Sequence, residues 1–326
     1  MNANIASSYT SLLAGEHLKH LAADQNVMRR LLEAEPVRRW MSVPASRYVL
    51  GESADVLMEK MGQLAARGYE VGIENVGEDV VEESEVLRVA AEYERLISLL
   101  PRGGLTPRTE LNFDLSNVGL LISESLALDV ASGIAAAAHR RGLCVTISME
   151  RRPLVDKILS VFRQLAARAP NVGITLQAYL KRTDADLDTL IETGCKVRLV
   201  KGVYADPSDD VLPRSPQLDA RYLALAQRLA EAGVPRSFAT HDPAVIARLE
   251  AAGLLGAGAE IEMLHGVQAD QLGQLRRRGI ACRIYGVYGT RWNLHFLHRL
   301  AESPQNVLQA LADAQDASRI QFGAGY

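Results

Sequence analysis

Between residues 66 and 290 one passage recurs with variations: an amphipathic stretch with apolar residues at helical spacing ends at a glycine, and a short apolar run follows. It is read in LAARG-YEVGIENVG, AHRRG-LCVTIS, IETG-CKVRLV, LAEAGVPR-SFAT, GLLGAGA-EIEML and RRRG-IACRIYG. The glycine supplies the left-handed cap at which a helix stops before a strand. Two further runs, ELNFDL near 110–115 and VGITLQAYL near 172–180, bring the strands to eight, with helical segments such as ESEVLRVAAEYERLISLL and DARYLALAQRLAEAG between them. Alternation of this kind predicts parallel βαβ units. Eight units in roughly 230 residues fit a (β/α)8 TIM-like barrel better than an open doubly wound sheet. No G-x-G-x-x-G follows the first strand, so a Rossmann dinucleotide site has no support.

The same pattern sets the organisation. Residues 1–65 read as helical throughout and run into the first strand without a Pro/Gly/Ser linker, which predicts an N-terminal accessory layer rather than an independent domain. Residues 66–303 form the barrel, and 304–326 a helix and short tail ending in FGAGY, to which no role is assigned. PRGGLTPRT at 101–109 and ADPSDDVLPRSPQ at 205–217 are the conspicuous loops.

Composition narrows the classes. With 48% apolar and 23% charged residues and a formal net charge of −3, disorder, collagen and coiled coil are excluded. No concentrated basic patch points to nucleic acid. No run approaches the ~20 apolar residues that span a bilayer, and MNANIASSYTSLLAGEHLKH lacks a basic region followed by an apolar core, so a cytoplasmic protein without a transmembrane segment is expected. Cys144, Cys195 and Cys282 are odd in number, lack CxxC spacing and sit in apolar runs, which favours small core residues over a disulfide or thiolate metal site.

Candidate chemistry lies at the strand ends. Both faces of a parallel barrel strand are buried, so polar residues within or just after one require an explanation. They are Glu74, Asp114, Ser148, Gln177, Arg198, Lys201, Thr240, His241, Glu262, His265 and Tyr285, and each falls toward the C-terminal end where barrel enzymes build their sites. The alternative is a satisfied polar plug, or helix caps at Ser148 and Thr240. Arg198, between Val197 and Leu199, cannot lose its charge. It either forms a buried ion pair with Glu262 or Glu74, or serves as a fixed cation aimed at an electron-rich ligand, with Lys201 and the Gly202 backbone available for phosphate. His241, His265, Asp114 and Glu262 are the residues a metal site would use, against the repulsion of Arg198 and Lys201.

Several of these residues stand in motifs that resemble the proline dehydrogenase family, flavoenzymes on a distorted (β/α)8 barrel that oxidise proline to pyrroline-5-carboxylate. VRLVKGVY at 197–204, FATHD at 238–242, LQAYLKRT at 176–183, IEMLHG at 261–266 and RIYGVYGTRW followed by Arg299 and Glu302 occur in the family's order, and the similarity runs from about 47 to 303. The resemblance implies FAD, with Met149, Gln177, Arg198, Lys201, Gly202, Thr240 and His241 at flavin-contacting positions and Arg198 beside the flavin N5. It places Tyr204 and Tyr285 as active-site tyrosines, Leu264 against the substrate ring, and Arg198, Tyr204 and Tyr285 in catalysis. It also implies an acceptor such as a membrane quinone, which adds a place peripheral to the inner membrane to the cytoplasmic expectation.

The substrate positions depart from the family. Asp114 stands where the family has a lysine, His298 where it has the first arginine of a pair with Arg299, Ser148 where it has an acid, and Ala205 where some members have a tryptophan. A free carboxylate should therefore bind less well, and the resemblance is read as C–N oxidation of proline or a proline-like cyclic amine, with a modified or carrier-tethered carboxyl group as one form of substrate. Asp114 is then expected either to meet a cationic substrate group or to form a salt bridge with Arg299. The competing classes are a metal-dependent barrel hydrolase and a non-catalytic or regulatory barrel.

Overall fold

A computed structural model describes residues 2–204 and 206–326; the departure noted at Ala205 lies outside the described residues. Eight parallel strands close a barrel in sequence order: β1 (Glu70–Asn75), β2 (Glu110–Phe113), β3 (Cys144–Ile147), β4 (Val172–Gln177), β5 (Val197–Val200), β6 (Arg236–Ala239), β7 (Ala259–Leu264) and β8 (Cys282–Tyr288). This is the expected (β/α)8 architecture. Gly68, Gly142, Gly194, Gly233 and Gly279 all take positive φ at the ends of the preceding helices, as the repeated passage predicts.

Side chains alternate along each strand. Val71 and Ile73, Leu111 and Phe113, Val145 and Ile147, Val197 and Leu199, and Ile261 and Met263 are sealed in the main apolar core, beneath the helices. The alternate positions are polar: Glu110 and Asn112, Thr175 and Gln177, Arg198, Glu260 and Glu262, Arg283 and Tyr285. A second apolar cluster, containing Met28, Met41, Tyr48, Trp292, Phe296 and Leu297, joins the N-terminal layer to the helix Trp292–Glu302 that follows β8. The helix Asn2–Ala23 lies along that helix.

The N-terminal segment is not helical throughout. Between the helices Glu35–Ala45 and Ala54–Ala66 the chain extends, Val49 makes a parallel bridge to Val287, and the Leu50 N–H donates to the Val287 carbonyl at 2.9 Å. The segment is thereby attached to the edge of β8, and helix Ala54–Ala66 packs on β1 and β8.

Candidate active site

The barrel interior is built from charge. At its floor, away from the mouth, Arg283 and Glu260 pair at 2.7 Å with each side chain 1% exposed, and the guanidinium also donates to the Val71 and Arg108 carbonyls at 2.7 and 2.9 Å. Lys196 bridges Glu110 at 2.5 Å and Glu260 at 2.8 Å. One level up, Arg198 donates to Glu110 at 2.5 Å, Asn112 at 2.6 Å and Thr175 at 3.3 Å, and its Nε lies 2.8 Å from Glu262 in an ion pair without hydrogen-bond geometry. The ion pair with Glu262 weighed from sequence is present; the other partner is Glu110, not Glu74. Burial alone would raise the Glu110 carboxyl, but Lys196, Arg283 and Arg198 outweigh it and bring it down to about 2.

Above this floor the C-terminal strand ends open into a cavity of about 490 Å3, within the ordinary range for small-ligand sites. Arg198, Tyr204 and Tyr285 line it, as do Met149, Gln177, Lys201, Gly202, Thr240 and His241, and Asp114, Ser148, Leu264, His298, Arg299 and Glu302. Residues drawn from eight strands and the helix Trp292–Glu302 thus meet at one place, the mouth of the barrel. Sequence reading missed Glu78, Thr175, Arg214 and His295, which line the same cavity. His295 had a signal: it sits one helical turn before His298 and so shares its face.

Each side chain is held in a definite way. Gln177 donates to the Met149 and Glu150 carbonyls at 2.7 and 3.1 Å, which leaves its own side-chain oxygen buried without a partner among the described residues. His241 Nε2 accepts the Leu264 N–H at 3.0 Å, and burial followed by Arg299 pushes its pKa down to about 4. Lys201 is paired with Asp219 at 2.5 Å and Asp242 at 2.7 Å. Gly202 turns at φ +110°, and a Cβ there would lie 2.2 Å from the Tyr179 ring, so only glycine lets the chain pass close along this wall. The Arg198 guanidinium lies 5.0 Å over the Tyr285 ring, whose hydroxyl donates to Glu74.

Other sequence expectations are corrected. Asp114 forms no ion pair with Arg299, which pairs instead with Glu302 at 2.8 Å on its own helix. His265 turns away from the cavity: it stacks on Tyr326, whose hydroxyl accepts the Gly266 N–H at 2.8 Å. The tail residue thus takes up His265, which does not line the cavity, and the four residues weighed as metal ligands do not converge. Among the described residues there is no group of three or more His, Cys, Asp or Glu placed to hold a metal.

Electrostatically the mouth contrasts with the floor. Burial raises Glu74 to about 7, against the hydrogen bond from Tyr285 and the charge of Arg198. Burial, then Glu150, Glu74 and Glu78, raise Asp114 well above the usual carboxylate range, with Ser148 acting against them. Burial and Arg299 lower His298 to about 4, so at neutral pH it adds no positive charge.

A charged barrel whose C-terminal mouth gathers phenols, carboxylates and one unpartnered amide has its candidate site where α/β-barrel enzymes build theirs. The comparisons are specific. The proline dehydrogenase family model matches residues 57–306. Proline dehydrogenase 1 of Bacillus subtilis is 30% identical over 266 residues, covering 80% of this chain and 87% of that one. Proline dehydrogenase of Deinococcus radiodurans is 31% identical over 271 residues, with the same shares. The chain belongs to the proline dehydrogenase family. The fold is shared with proline utilization A from Bdellovibrio bacteriovorus, solved after inactivation by N-propargylglycine, at a TM-score of 0.73 and 19% identity; 97% of this chain matches 39% of that larger one.

Proposed function

We propose that the protein is an FAD-dependent dehydrogenase that oxidises a C–N bond of proline or a proline-like cyclic amine to the imine. The alternatives, a metal hydrolase and a non-catalytic barrel, are not favoured by membership of this family. Gln177 is the observation that carries the cofactor reading: a side-chain oxygen buried without a partner among the described residues, anchored through its nitrogen, in the cavity wall. An unpaired buried acceptor costs about 1–3 kcal/mol, so a donor on a bound group is the expected complement. Gln177, Met149, Arg198, Lys201, Gly202, Thr240 and His241 would hold the flavin, which when bound supplies the two-electron acceptor.

The chain's own residues position and exclude. Arg198 is locked by Glu110 and Glu262 and cannot swing, so it presents a fixed positive charge beneath Tyr285. Tyr204, Tyr285 and Leu264 shape the space for a ring. His241, held neutral, offers bulk without charge.

One observation bears on the substrate. Arg198, Lys201 and Arg299 each meet a carboxylate already, Arg214 donates to the Gly202 carbonyl at the exposed rim, and His298 is neutral at pH 7. A free carboxylate entering beside Asp114 meets no cation without a carboxylate partner among these groups except Arg214 at the rim. A substrate whose carboxyl group is esterified, amidated or tethered to a carrier fits better. The electron acceptor belongs to this proposal as a quinone or comparable carrier, as does the expected place in the cytoplasm or peripheral to the inner membrane. Among the described residues no helix is long and apolar enough to cross a membrane.

The test is spectroscopic. Protein supplemented with FAD should retain the flavin absorption band after desalting, and L-proline or L-proline methyl ester should bleach it without oxygen, the ester more effectively. A folded protein that retains no flavin, or retains it unbleached by every cyclic amine, contradicts the reading.

A further inference from the structure

One corner of the cavity, where β1, β2 and β8 end, carries acids without counter-ions. Glu74 and Asp114 line it, and among the described residues neither has a lysine, arginine or histidine within ion-pair distance. The nearest fixed cation, Arg198, is committed to Glu110 and Glu262 and is screened by the Tyr285 ring. Tyr285 donates its hydroxyl proton to a hydrogen bond with Glu74, which fixes the carboxylate toward the space the cavity leaves open.

The proposed oxidation needs a base in this cavity. A cyclic secondary amine is an ammonium ion in neutral water, and the carbon beside nitrogen gives up hydride only when the nitrogen lone pair is free. One proton must leave nitrogen first. Lys201, Arg198 and Arg299 are already charged and paired. The His241 ring nitrogen that faces the chain is occupied by the Leu264 N–H. His298, lowered to about 4, and His295, pushed by burial well below its ordinary value, are poor bases at neutral pH. Asp114, raised by burial and three neighbouring acids, is engaged in a hydrogen bond with Ser148. Among the other acids of the cavity, Glu262, Asp242 and Glu302 are paired with Arg198, Lys201 and Arg299, and Glu78 lies on the loop beyond β1; Glu74, on the strand itself and held by Tyr285, has an affinity of about 7, near the working pH where a general base acts best.

We infer that Glu74, held by the Tyr285 hydroxyl, is the base that receives the substrate's amine proton. This rests on the dehydrogenase reading above. In the step an N–H bond of the ring ammonium breaks, an O–H bond forms on the Glu74 carboxylate, and nitrogen keeps the electron pair. Asp114 is the neighbouring acid on the same wall. Glu74 is faced by Tyr285 from β8, Arg198 from β5, Asp114 after β2, Glu150 after β3, Tyr204 after β5, Tyr93 from the helix Glu83–Leu99 and Glu78 on its own loop. Of these Glu150 is also raised to about 7, and its carboxylate accepts the Ser116 N–H at 3.0 Å.

The experiment follows flavin reduction in the FAD-loaded protein, without oxygen, with L-proline, L-proline methyl ester and pyrrolidine between pH 5.5 and 9 (on the order of the range that brackets the Glu74 titration). The wild-type second-order rate should rise about tenfold per pH unit below about 7 and then level. Glu74→Gln should lower the plateau by about 100-fold or more and abolish that limb, while Glu74→Asp restores part of the rate with the limb present. Tyr285→Phe should keep the limb but displace it to higher pH, because the hydroxyl that favours the ionised carboxylate is gone. Independently of turnover, infrared difference spectra on adding pyrrolidine at pH 8 (about one unit above the Glu74 midpoint) should show a carboxylic-acid C=O band in the wild type and in Asp114→Asn. The band should move in Glu74→Asp and be absent in Glu74→Gln. A Glu74→Gln enzyme that keeps the limb at near wild-type rates, or a wild-type spectrum without the band, overturns the inference while flavin reduction leaves the dehydrogenase reading standing. Failure of every cyclic amine to reduce the bound flavin overturns both.

Discussion

Glu110 and Glu74 lie on neighbouring strands of one barrel, both on inward-facing positions, and end on opposite sides of the ordinary carboxylate range: about 2 for the first, about 7 for the second. Burial pushes both upward. At the floor Lys196, Arg283 and Arg198 converge on Glu110 and Glu260 and overcome it. At the mouth the cation that acts on Glu74, Arg198, is already paired with Glu262, and Glu74 has a phenol instead. Inside a barrel the number of matched cations, not burial, decides whether a carboxylate is a structural strut or a group that can exchange a proton near neutrality.

The largest effect is expected from attacking the floor. Arg283→Met leaves Glu260 sealed and short of its main partner, and should cost about 3–5 kcal/mol in urea unfolding. A cost below about 1 kcal/mol would mean the floor is not held by this pair.

Next comes the mouth, where stability should run the other way with pH. Glu74 is raised from 4.5 to about 7 by folding, so its contribution is full below pH 4.5 and disappears as pH rises through 7. Glu110, lowered from 4.5 to about 2, contributes above pH 4.5 and loses this as pH falls through 2. Glu74→Gln should therefore gain about 2 kcal/mol relative to wild type on going from pH 5 to pH 8, read from unfolding midpoints at each pH (pH values on the order of the two limits of the Glu74 titration).

Giving the mouth counter-ions like those of the floor should alter selectivity. Asp114→Lys with His298→Arg places two cations on the cavity wall, and should raise the kcat/KM ratio of L-proline to its methyl ester by about tenfold or more. An unchanged ratio would show that these positions do not meet the carboxyl group.

The smallest effect belongs to Thr146, sealed on β3 with a hydroxyl that has no partner among the described residues. Thr146→Val removes that orphan and should stabilise the protein by about 1 kcal/mol or less, read by thermal melting.

Most of the architecture could be read in the sequence because its signals are local. A glycine after each helix and a short apolar run after each glycine need no knowledge of what lies across the barrel. The residues at the mouth were found by the same logic, as polar interruptions at strand ends. Pairing across the barrel was not legible, because Arg198 and Glu110 are 88 positions apart and only closure brings them together. The floor had a trace in the sequence, the polar residues two apart in ELNFD, KVR, EIE and RIY, but alternation names an inward face without naming partners. His265 looked equivalent to His241, and only the tail, through Tyr326, shows that it faces the other way.

The contrast between floor and mouth can be measured without any substrate. Carbon-13 NMR of protein labelled at the glutamate carboxyl carbons, with Glu74 and Glu110 assigned through Glu74→Gln and Glu110→Gln, should show Glu74 titrating with a midpoint about 7 and Glu110 remaining ionised down to the lowest pH at which the fold survives. A Glu74 midpoint near 4.5, its ordinary value, would contradict the account.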